Sequence, residues 1–353
     1  MRPKRSVTFV VMAGGKGERL WPLVRASRPK VCLSPDGKQT LLESTIQRLH
    51  GVWPSAHWLI VTTHSQAEVV RASLPAKLRR AVLVEPQIKN TAAAITLAAL
   101  SIADPHRVMV VVPADHWIED VRAFRQAVRA AIHAAVRFDT IATIGIRPTS
   151  PHAGLGYLCV GSTLDGSHRP RLFQLDRFVE KPSSAVAKQL IAQGAYWNGG
   201  YFVGRVDKFL ECITEWLPDH TRRLAPIRMR HDAQSAQRLK RAYRALEAVS
   251  FDHGVMDHLR TGVVVEGRFA WADLGTWDAW ARLSPASACA VAVGSHNVKI
   301  VNQERHLIAT VGVRDLVIVH TPTATLICSP EKTQLLREVV RRLSLSSSLR
   351  SFL

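Results

Sequence analysis

Short, almost uninterrupted apolar runs alternate with longer stretches of helical spacing along the first half of the chain. Such runs are typical of strands that are buried on both faces of a parallel sheet, and the longer stretches are typical of the helices that cover it. We predict strands at residues 7–13, 57–63, 81–86, 107–115 and 140–146. We predict helices at residues 40–52, 65–74, 90–103 and from Val121 onward. The pattern indicates an α/β fold whose ligands bind beyond the carboxyl ends of the strands.

The pattern becomes mixed in the second half. Residues 183–194 and roughly 205–247 have helical spacing, and beyond Pro285 four short strand candidates follow at even spacing before a helix at 331–343. We therefore predict two domains, residues 1–283 and a β-rich C-terminal domain of residues 284–353 that ends in a helix. The serine-rich tail after Leu343 is expected to fray.

Two local signals refine these elements. Thr40 followed three residues later by Glu43 is a capping-box pattern, so it marks the start of a helix. In the helix that begins at Val121, apolar residues recur at helical spacing and define a buried stripe.

The net charge of +19 is the unusual feature of the composition, and it favours anionic partners. The basic residues are mostly arginines spread over helical faces, and the densest patch, residues 222–244, has neither interleaved aromatic residues nor a helix-turn-helix signature. A solvated basic surface is therefore preferred to a nucleic-acid interface, and we expect small anionic substrates.

Neither membrane insertion nor disulfide bonding is indicated. The longest apolar window, residues 92–103, is too short to cross a bilayer, and the N-terminal apolar run leads into glycines without a cleavage pattern. The five cysteines are far apart and form no CxxC or Cys/His cluster. We expect a cytoplasmic protein with reduced thiols, without a membrane span or a structural zinc site.

A glycine loop, residues 14–17, follows the first predicted strand. Its spacing fits neither GxxxxGK[ST] nor GxGxxG. Glycines still let backbone N–H groups approach an anion, and Lys16, Arg19 and Lys30 add positive charge. The alternative is a tight basic turn at a strand exit, and the loop alone does not decide between the two.

The longer string AGGKGERLWPLVRASRPK, residues 13–30, resembles the GGxGxRLxPL…PK signature of the sugar-nucleotide pyrophosphorylases. Six more segments resemble motifs of that family in the same order: EPQIKNTAAAI, PADH, FVEKP, WNGGYF, FDHGVMD and WADLGTW. Together they cover essentially the whole chain and are similar to one branch, the mannose-1-phosphate guanylyltransferases. The resemblance implies a Rossmann-like nucleotidyltransferase domain and a C-terminal domain that is left-handed β-helix-like.

The resemblance also implies a reaction. A phosphate oxygen of α-D-mannose 1-phosphate attacks the α-phosphorus of GTP, GDP-mannose forms and pyrophosphate leaves. Because no covalent enzyme intermediate is required, positioning and electrostatic stabilisation would do most of the work.

Each implied role belongs to a residue that matches a motif. The implied catalytic residues are Arg19, Lys30 and Lys181. The implied nucleotide-binding residues are Gly14, Gly15, Lys16, Gly17, Glu85, Asn90 and Thr91. The implied sugar-phosphate-binding residues are Gly156, Glu180, Lys181 and Asn198. Mg²⁺ is the implied cofactor, with Asp115 and Asp273 as its carboxylate ligands.

Several of these residues have simpler alternative roles. Asp115 could cap a helix beginning near Trp117, and Asp273 could cap a helix at 276–282. Asn90 could be a helix N-cap, Asn198 precedes two glycines as turn residues do, and Glu180 with Lys181 could be a surface ion pair. His116 is expected to hold local structure, since the attacking phosphate is already ionised.

Five positions depart from the family's usual residues: Val31, Ala93, Gly199, His253 and Asp257. They concern the base and sugar pockets more than the phosphate groups. A pyrophosphorylase for another nucleotide or sugar 1-phosphate, and a catalytically silent binding homologue, therefore remain alternatives. Exposed strand edges in the C-terminal domain would also suit a homodimer.

Overall fold

A computed structural model describes residues 6–25, 27–166, 170–227, 232–284, 289–304 and 306–353. The strands before the C-terminal domain are β1 (Val7–Met12), β2 (His57–Thr63), β3 (Val82–Glu85), β4 (Val108–Pro113), β5 (His116–Ile118), β6 (Ala142–Ile146), β7 (Tyr157–Asp165), β8 (Leu172–Val179), β9 (Tyr196–Arg205), β10 (Val263–Gly267) and β11 (Trp271–Asp273). The helices of the same part are α1 (Leu41–His50), α2 (Ala67–Ser73), α3 (Asn90–Leu100), α4 (Val121–Arg137), α5 (Ser184–Ala192), α6 (Val206–Trp216), α7 (Pro218–Leu224), α8 (Ala233–Ala245) and α9 (Trp277–Leu283).

Nine of these strands form one sheet in the order β3-β2-β1-β4-β9-β6-β10-β8-β7. The α/β prediction is confirmed, and all five strands predicted in the first half are present, β2 with the predicted bounds and the other four with shorter ones. The parallel arrangement predicted from the first half is present in β3-β2-β1-β4. The sheet as a whole is mixed, because β9 runs antiparallel to both β4 and β6, and β8 is antiparallel to β10 and β7. Strand β8 carries exposed polar residues, Gln174, Asp176 and Arg177, as antiparallel strands allow.

The single helical stretch predicted at 205–247 is three helices. Pro218 stands at the start of α7, where a proline is tolerated because the first N–H groups of a helix have no partner inside it. Residues 228–231 of that stretch lie outside the described residues. The later predicted helix, 331–343, is a 3₁₀ turn from Pro330 to Leu335 followed by α10 (Leu336–Leu345).

Helix α1 is capped at both ends. Its N-terminus has the predicted capping box, in which the Thr40 side chain accepts from the amide of Glu43 and the Glu43 carboxylate accepts from that of Thr40. At its C-terminal end, Arg125 of α4 donates to the carbonyl of Arg48 at 2.8 Å, and Arg129 donates to that of Val52 at 3.1 Å. Part of the arginine excess therefore satisfies helix-end carbonyls.

The C-terminal domain is a short coil built from β-strands. Its strands are β12 (Ala290–Val293), β13 (His296–Asn302), β14 (Ile308–Val311), β15 (Arg314–Thr321) and β16 (Ala324–Cys328). The parallel pairs β12–β14 and β13–β15 stack equivalent parts of successive turns. Gly294 and Gly312 form corresponding corners, with φ of 59° and 65°, which glycine adopts without strain. The four predicted strands are confirmed, and β12 is an additional one.

This domain is packed on the segment that follows the glycine loop. One hydrophobic cluster contains Leu20 and Leu23 together with Val317 and Leu336. The tail is held as well, since Trp21 Nε1 donates to the carbonyl of Phe352 at 2.8 Å. The expectation that the tail frays is therefore wrong, because a side chain distant in sequence satisfies its backbone. In the described ranges, no helix is long and apolar enough to cross a membrane.

Candidate active site

The glycine loop opens onto a cavity of about 480 Å³ at the carboxyl edge of β1 and β4. Arg19, Lys30, Asp115 and Asp273 line the same cavity. The structure thus brings together the predicted phosphate-binding loop, two of the three predicted catalytic residues and both predicted metal ligands.

The loop backbone depends on its glycines. Gly15 has φ of 114° and Gly17 has φ of 59°, values that side chains oppose. A Cβ at Gly17 would also lie 3.1 Å from Val24 Cγ1 and 3.3 Å from Lys30 Cβ. The loop is therefore pressed against the residue that carries the central charge of the cavity.

Lys30 lies between two carboxylates, and the three residues are called the Lys30–Asp115–Asp273 trio below. Lys30 Nζ is 2.5 Å from Asp115 Oδ2 and 3.4 Å from Asp273 Oδ1, and the residue is only 8% exposed. Burial alone would lower the pKa of Lys30, but the two carboxylates raise this pKa above its ordinary value. Burial would likewise raise the pKa of Asp115, yet Lys30 and His116 bring it below its ordinary value. Lys30 and Asp115 are therefore both charged near neutral pH.

A two-stranded ribbon brings the carboxylates together. Asp115 follows β4, and Asp273 ends β11, which pairs antiparallel with β5 so that Asp273 lies opposite His116. The capping alternatives are wrong for both aspartates. The side chain of Asp120 caps α4, accepting from the amide of Ala123 at 2.9 Å, and the side chain of Thr276 caps α9.

The donor set of this trio fits a magnesium ion. The two carboxylates lie on either side of Lys30 Nζ, one between β4 and β5 and the other at the end of β11, and their hard oxygens are the ligands that Mg²⁺ prefers. Across the described ranges, no group of three or more His, Cys, Asp or Glu side chains is placed to hold a metal. The remaining ligands would then come from phosphate oxygens and water, as is usual for Mg²⁺ at nucleotide sites.

Arg19 lies next to the trio. A Cβ placed on Gly275 would be 2.7 Å from Arg19 Nη2 and 3.2 Å from Asp273 Oδ1. Gly275 therefore leaves room for the guanidinium and the carboxylate to lie side by side.

The predicted sugar-phosphate residues form a second group. Lys181 forms an ion pair with Glu180, and a Cβ on Gly156 would lie 2.7 Å from Glu180 Oε2. Asn198 donates from Nδ2 to Asp252 Oδ1 at 2.6 Å, while its own Oδ1 accepts from the amide of Gly200 at 3.1 Å. Asn198 therefore makes the turn contact of the alternative interpretation and also orients a carboxyl group.

Asp252 is a member of this second group that sequence reasoning missed. It begins a π-helical turn, an irregularity that is frequent at functional sites. Burial, and then the neighbouring carboxylate of Glu180, raise the pKa of Asp252 to about 6, although the hydrogen bond from Asn198 acts in the opposite direction.

The predicted nucleoside residues form a third group, which does not line the glycine-loop cavity. Tyr243 of α8 donates to Glu85 Oε1 at 3.2 Å, and burial raises the pKa of Glu85 to about 7. Thr91 Oγ1 accepts from the amide of Phe251 at 2.8 Å. Asn90 is the first residue of α3, with φ of 64°, and its Oδ1 accepts from the next amide.

His116 is held by its neighbours. Its Nδ1 accepts from Trp271 Nε1 at 3.2 Å and lies 3.1 Å from the hydroxyl of Tyr201. Burial lowers the pKa of His116, so the neutral ring is favoured. These contacts suit the structural role predicted for it rather than that of a base.

The cavity is also lined by Gln66 and Arg337, which belong to none of the quoted segments, and by Gly275 of the WADLGTW segment. Gln66 donates from Nε2 to the carbonyl of Gly15 at 2.8 Å. It follows β2, so its place at the carboxyl edge of the sheet was a usable signal. Arg337 belongs to the first turn of α10, and no local motif points to it.

The fold and this cavity define a nucleotidyl transferase. The profile of the family described as Nucleotidyl transferase matches residues 8–288, and that of the MannoseP isomerase/GMP-like beta-helix domain matches residues 289–343. The chain is 35% identical over 351 residues to the mannose-1-phosphate guanylyltransferase of Escherichia coli K12, covering 95% of this chain and 73% of that protein.

Two other relatives agree. Mannose-1-phosphate guanylyltransferase ManC of Salmonella typhimurium is 35% identical over 349 residues, covering 95% of this chain and 72% of that protein. A crystal structure described as mannose-1-phosphate geranyltransferase from Thermus thermophilus superposes with a TM-score of 0.80 at 31% identity, covering 97% of this chain and 100% of that one. The chain belongs to the mannose-1-phosphate guanylyltransferase family.

Proposed function

We propose that this protein joins GTP and α-D-mannose 1-phosphate to give GDP-mannose and pyrophosphate. The observation that carries the proposal is the Lys30–Asp115–Asp273 trio facing the glycine loop in one cavity. Such a cavity suits a polyphosphate, because backbone amides, fixed cations and carboxylates for a divalent ion meet there.

The residues of the chain have separate tasks in this reaction. The glycine-loop amides hold the phosphates, and Lys30 and Arg19 stabilise the charge of the nucleotide as the sugar phosphate attacks. Lys181 draws in the sugar phosphate, while Glu180 and Asn198 orient the sugar through its hydroxyls. No side chain has to remove a proton, because the attacking phosphate oxygen is already ionised.

We also propose Mg²⁺ as the cofactor, held by Asp115 and Asp273. When bound, it neutralises the phosphate charge that otherwise opposes attack at the α-phosphorus. Lys30 then supports both carboxylates from the protein side, which keeps them correctly placed.

The choice of guanine and mannose is the finer part of the proposal, and it is supported by the names of the relatives. Of the departures from the family pattern, Val31 lines the glycine-loop cavity, and an altered specificity for base or sugar would arise at Ala93, Gly199, His253 and Asp257.

The decisive experiment measures pyrophosphate release with Mg²⁺ over a grid of four nucleoside triphosphates and several sugar 1-phosphates. We expect a signal for GTP with mannose 1-phosphate that disappears in Asp115→Asn. Activity at another position of the grid would change the substrate assignment, and a folded but silent protein would favour a binding homologue.

We propose in addition that the protein is a cytoplasmic homodimer formed through the C-terminal domain. The two-stranded sheet β12–β14 exposes apolar side chains, with Val293 58% and Val311 71% exposed. A second copy would cover this face. Light scattering should give twice the chain mass, and Val311→Asp should shift it toward the mass of a single chain. A single-chain mass for the unsubstituted protein would reject the dimer.

A further inference from the structure

Arg337 connects the C-terminal domain to the glycine-loop cavity. It is the second residue of α10, and it lines this cavity together with Lys16 and Arg19. It also lines an adjacent groove of about 600 Å³ between α10 and the loop, which it shares with Lys16 and Gln66. Arg337 therefore lies at the Lys16 end of the cavity.

The backbone of Arg337 is firmly placed although its side chain is exposed. The preceding residue, Leu336, is 3% exposed and belongs to the same hydrophobic cluster as Leu20 and Leu23. The Arg25 side chain holds the end of the chain beside it, donating from Nη1 to the carbonyl of Phe352 at 2.7 Å. Packing between the domains thus fixes the first turn of α10 beside the loop.

The guanidinium of Arg337 has no hydrogen bond or ion pair with any residue that the structure describes. The nearest carboxylate on its helix, Glu338, is taken by Arg341 at 2.7 Å and Arg342 at 2.9 Å. Two other cations of the cavity, Lys30 and Lys16, have carboxylate partners, whereas Arg19 forms no ion pair with a residue that the structure describes. Lys30 lies between Asp115 and Asp273, and Lys16 lies 3.3 Å from Glu18. Arg337 is therefore a cation that no carboxylate of the described chain neutralises.

We propose that Arg337 contacts the terminal phosphates of the nucleotide and the pyrophosphate that leaves, so that the C-terminal domain supplies a substrate-contacting residue. The proposal rests on the proposed function for the identity of the reaction. As the bond from the sugar-phosphate oxygen to the α-phosphorus forms, the bond from that phosphorus to the bridging oxygen breaks, and pyrophosphate keeps the electron pair. A guanidinium can bind two of its oxygens at once, and no proton has to move.

The test compares Arg337→Gln with Arg342→Gln. Both remove one charge from α10, but Arg342 lines neither the cavity nor the groove. We expect Arg337→Gln to raise KM for GTP, and KM for pyrophosphate in the reverse reaction, by on the order of tenfold, as expected for one lost charge-assisted hydrogen bond. KM for mannose 1-phosphate and for GDP-mannose should change little, and Arg337→Lys should restore part of the loss. Arg342→Gln should behave like the unsubstituted protein.

Binding of inorganic pyrophosphate, measured by calorimetry with Mg²⁺, separates this inference from the proposed function. Weaker pyrophosphate binding in Arg337→Gln but not in Arg342→Gln supports a contact between Arg337 and pyrophosphate. This conclusion holds even if the substrate grid gives another nucleotide or no turnover. Equal binding in both variants would overturn it while leaving the activity of the unsubstituted protein intact. A lower melting temperature, with equal losses for all four substrates, would also overturn it, because Arg337 would then only stabilise the packing of α10.

Discussion

The glycine-loop cavity and the group around Asn198 contain carboxyl groups in opposite electrostatic states. In the cavity, Lys30 holds the pKa of Asp115 below its ordinary value despite burial. Beside Asn198, burial and a second carboxylate raise the pKa of Asp252 to about 6. Strand β9, which carries Asn198, also passes beside the end of β4, since a Cβ on Gly200 would lie 3.4 Å from Pro113 Cγ. The difference comes from the partners of each carboxyl group and not from its depth alone.

This contrast matches two kinds of ligand. A phosphate region requires fixed cations and ionised carboxylates for a metal, whereas a sugar region requires groups that exchange hydrogen bonds with neutral hydroxyls. We therefore expect substitutions in the first region to affect catalysis and those in the second to affect sugar binding.

Asp115→Asn is expected to have the largest effect. Losing this carboxylate weakens the metal site and leaves buried Lys30 with one charged neighbour, so kcat should fall by about 10²–10³-fold. Asp273→Asn should cost less, because its oxygen is 3.4 Å rather than 2.5 Å from Lys30 Nζ. Steady-state kinetics would measure both, with Asp219→Asn, at a half-exposed position away from the cavity, as the control. Retention of more than about a tenth of the activity by folded Asp115→Asn would contradict this role.

Gly156→Ala tests the second region by shape. The new Cβ would lie 2.7 Å from Glu180 Oε2 and from the Phe178 ring, so both must move. We expect KM for mannose 1-phosphate to rise about tenfold while KM for GTP stays nearly constant. Gly161→Ala in β7, the strand that Gly156 directly precedes, is the matched control, because its nearest neighbours are 3.9 Å away. Equal changes in both KM values would remove the distinction between the regions.

Asp252→Asn tests the same region by charge. Below about pH 6 Asp252 is mostly protonated, so the amide variant should resemble the unsubstituted protein there. Above that pH the unsubstituted protein has an ionised carboxylate at this position and the variant has a neutral amide. The KM of the variant for mannose 1-phosphate should then be about three- to tenfold higher than that of the unsubstituted protein. Dividing the KM of the variant by the KM of the unsubstituted protein at each pH removes the effect of substrate titration, because both proteins meet the same substrate. A ratio independent of pH would refute the role of Asp252 ionisation.

Glu85→Gln has the smallest expected effect on the phosphate chemistry, and it tests burial without a cationic partner. The pKa of Glu85 is raised in the fold from 4.5 to about 7, so ionisation destabilises the folded protein as pH rises through that window. Below this pH window Glu85 is protonated in both the folded and the unfolded protein, so its ionisation costs no stability. The amide should therefore raise the free energy of unfolding by about 1–3 kcal/mol near pH 8 and by little near pH 4.5.

Denaturant unfolding at the two pH values would measure this difference. The control must not disturb the glycine loop, which excludes a substitution at Gln66, because that side chain contacts the loop. Glu68→Gln, at the start of α2, is a better one, because it makes a similar change on an exposed surface. A gain of equal size at both pH values would show that ionisation of Glu85 is not the cause.

The sequence predicted the elements whose signals are local. Helix α4 begins at Val121, where its apolar spacing indicated, and Thr40 with Glu43 forms the capping box. The loop and the two aspartates were identified as candidates from separate motifs. That Lys30 lies between the aspartates was not predictable, since it depends on how β5 pairs with β11.

Other features depended on contacts between distant segments. The antiparallel insertion of β9 is decided by its neighbours on both sides, not by its own composition. The tail is ordered by the Trp21 side chain, and Asp252 receives its hydrogen bond from Asn198 of another element.

The sequence by itself determined the class of fold, the family and the residue types available for phosphate chemistry, because periodicity and motifs are properties of neighbouring residues. Only the tertiary structure decided which of those charges neutralise one another and which remain free for a ligand. The state of a carboxyl group or an arginine depends on groups within a few ångströms, and Lys30, Asp252 and Arg337 each have neighbours that lie far away in the chain.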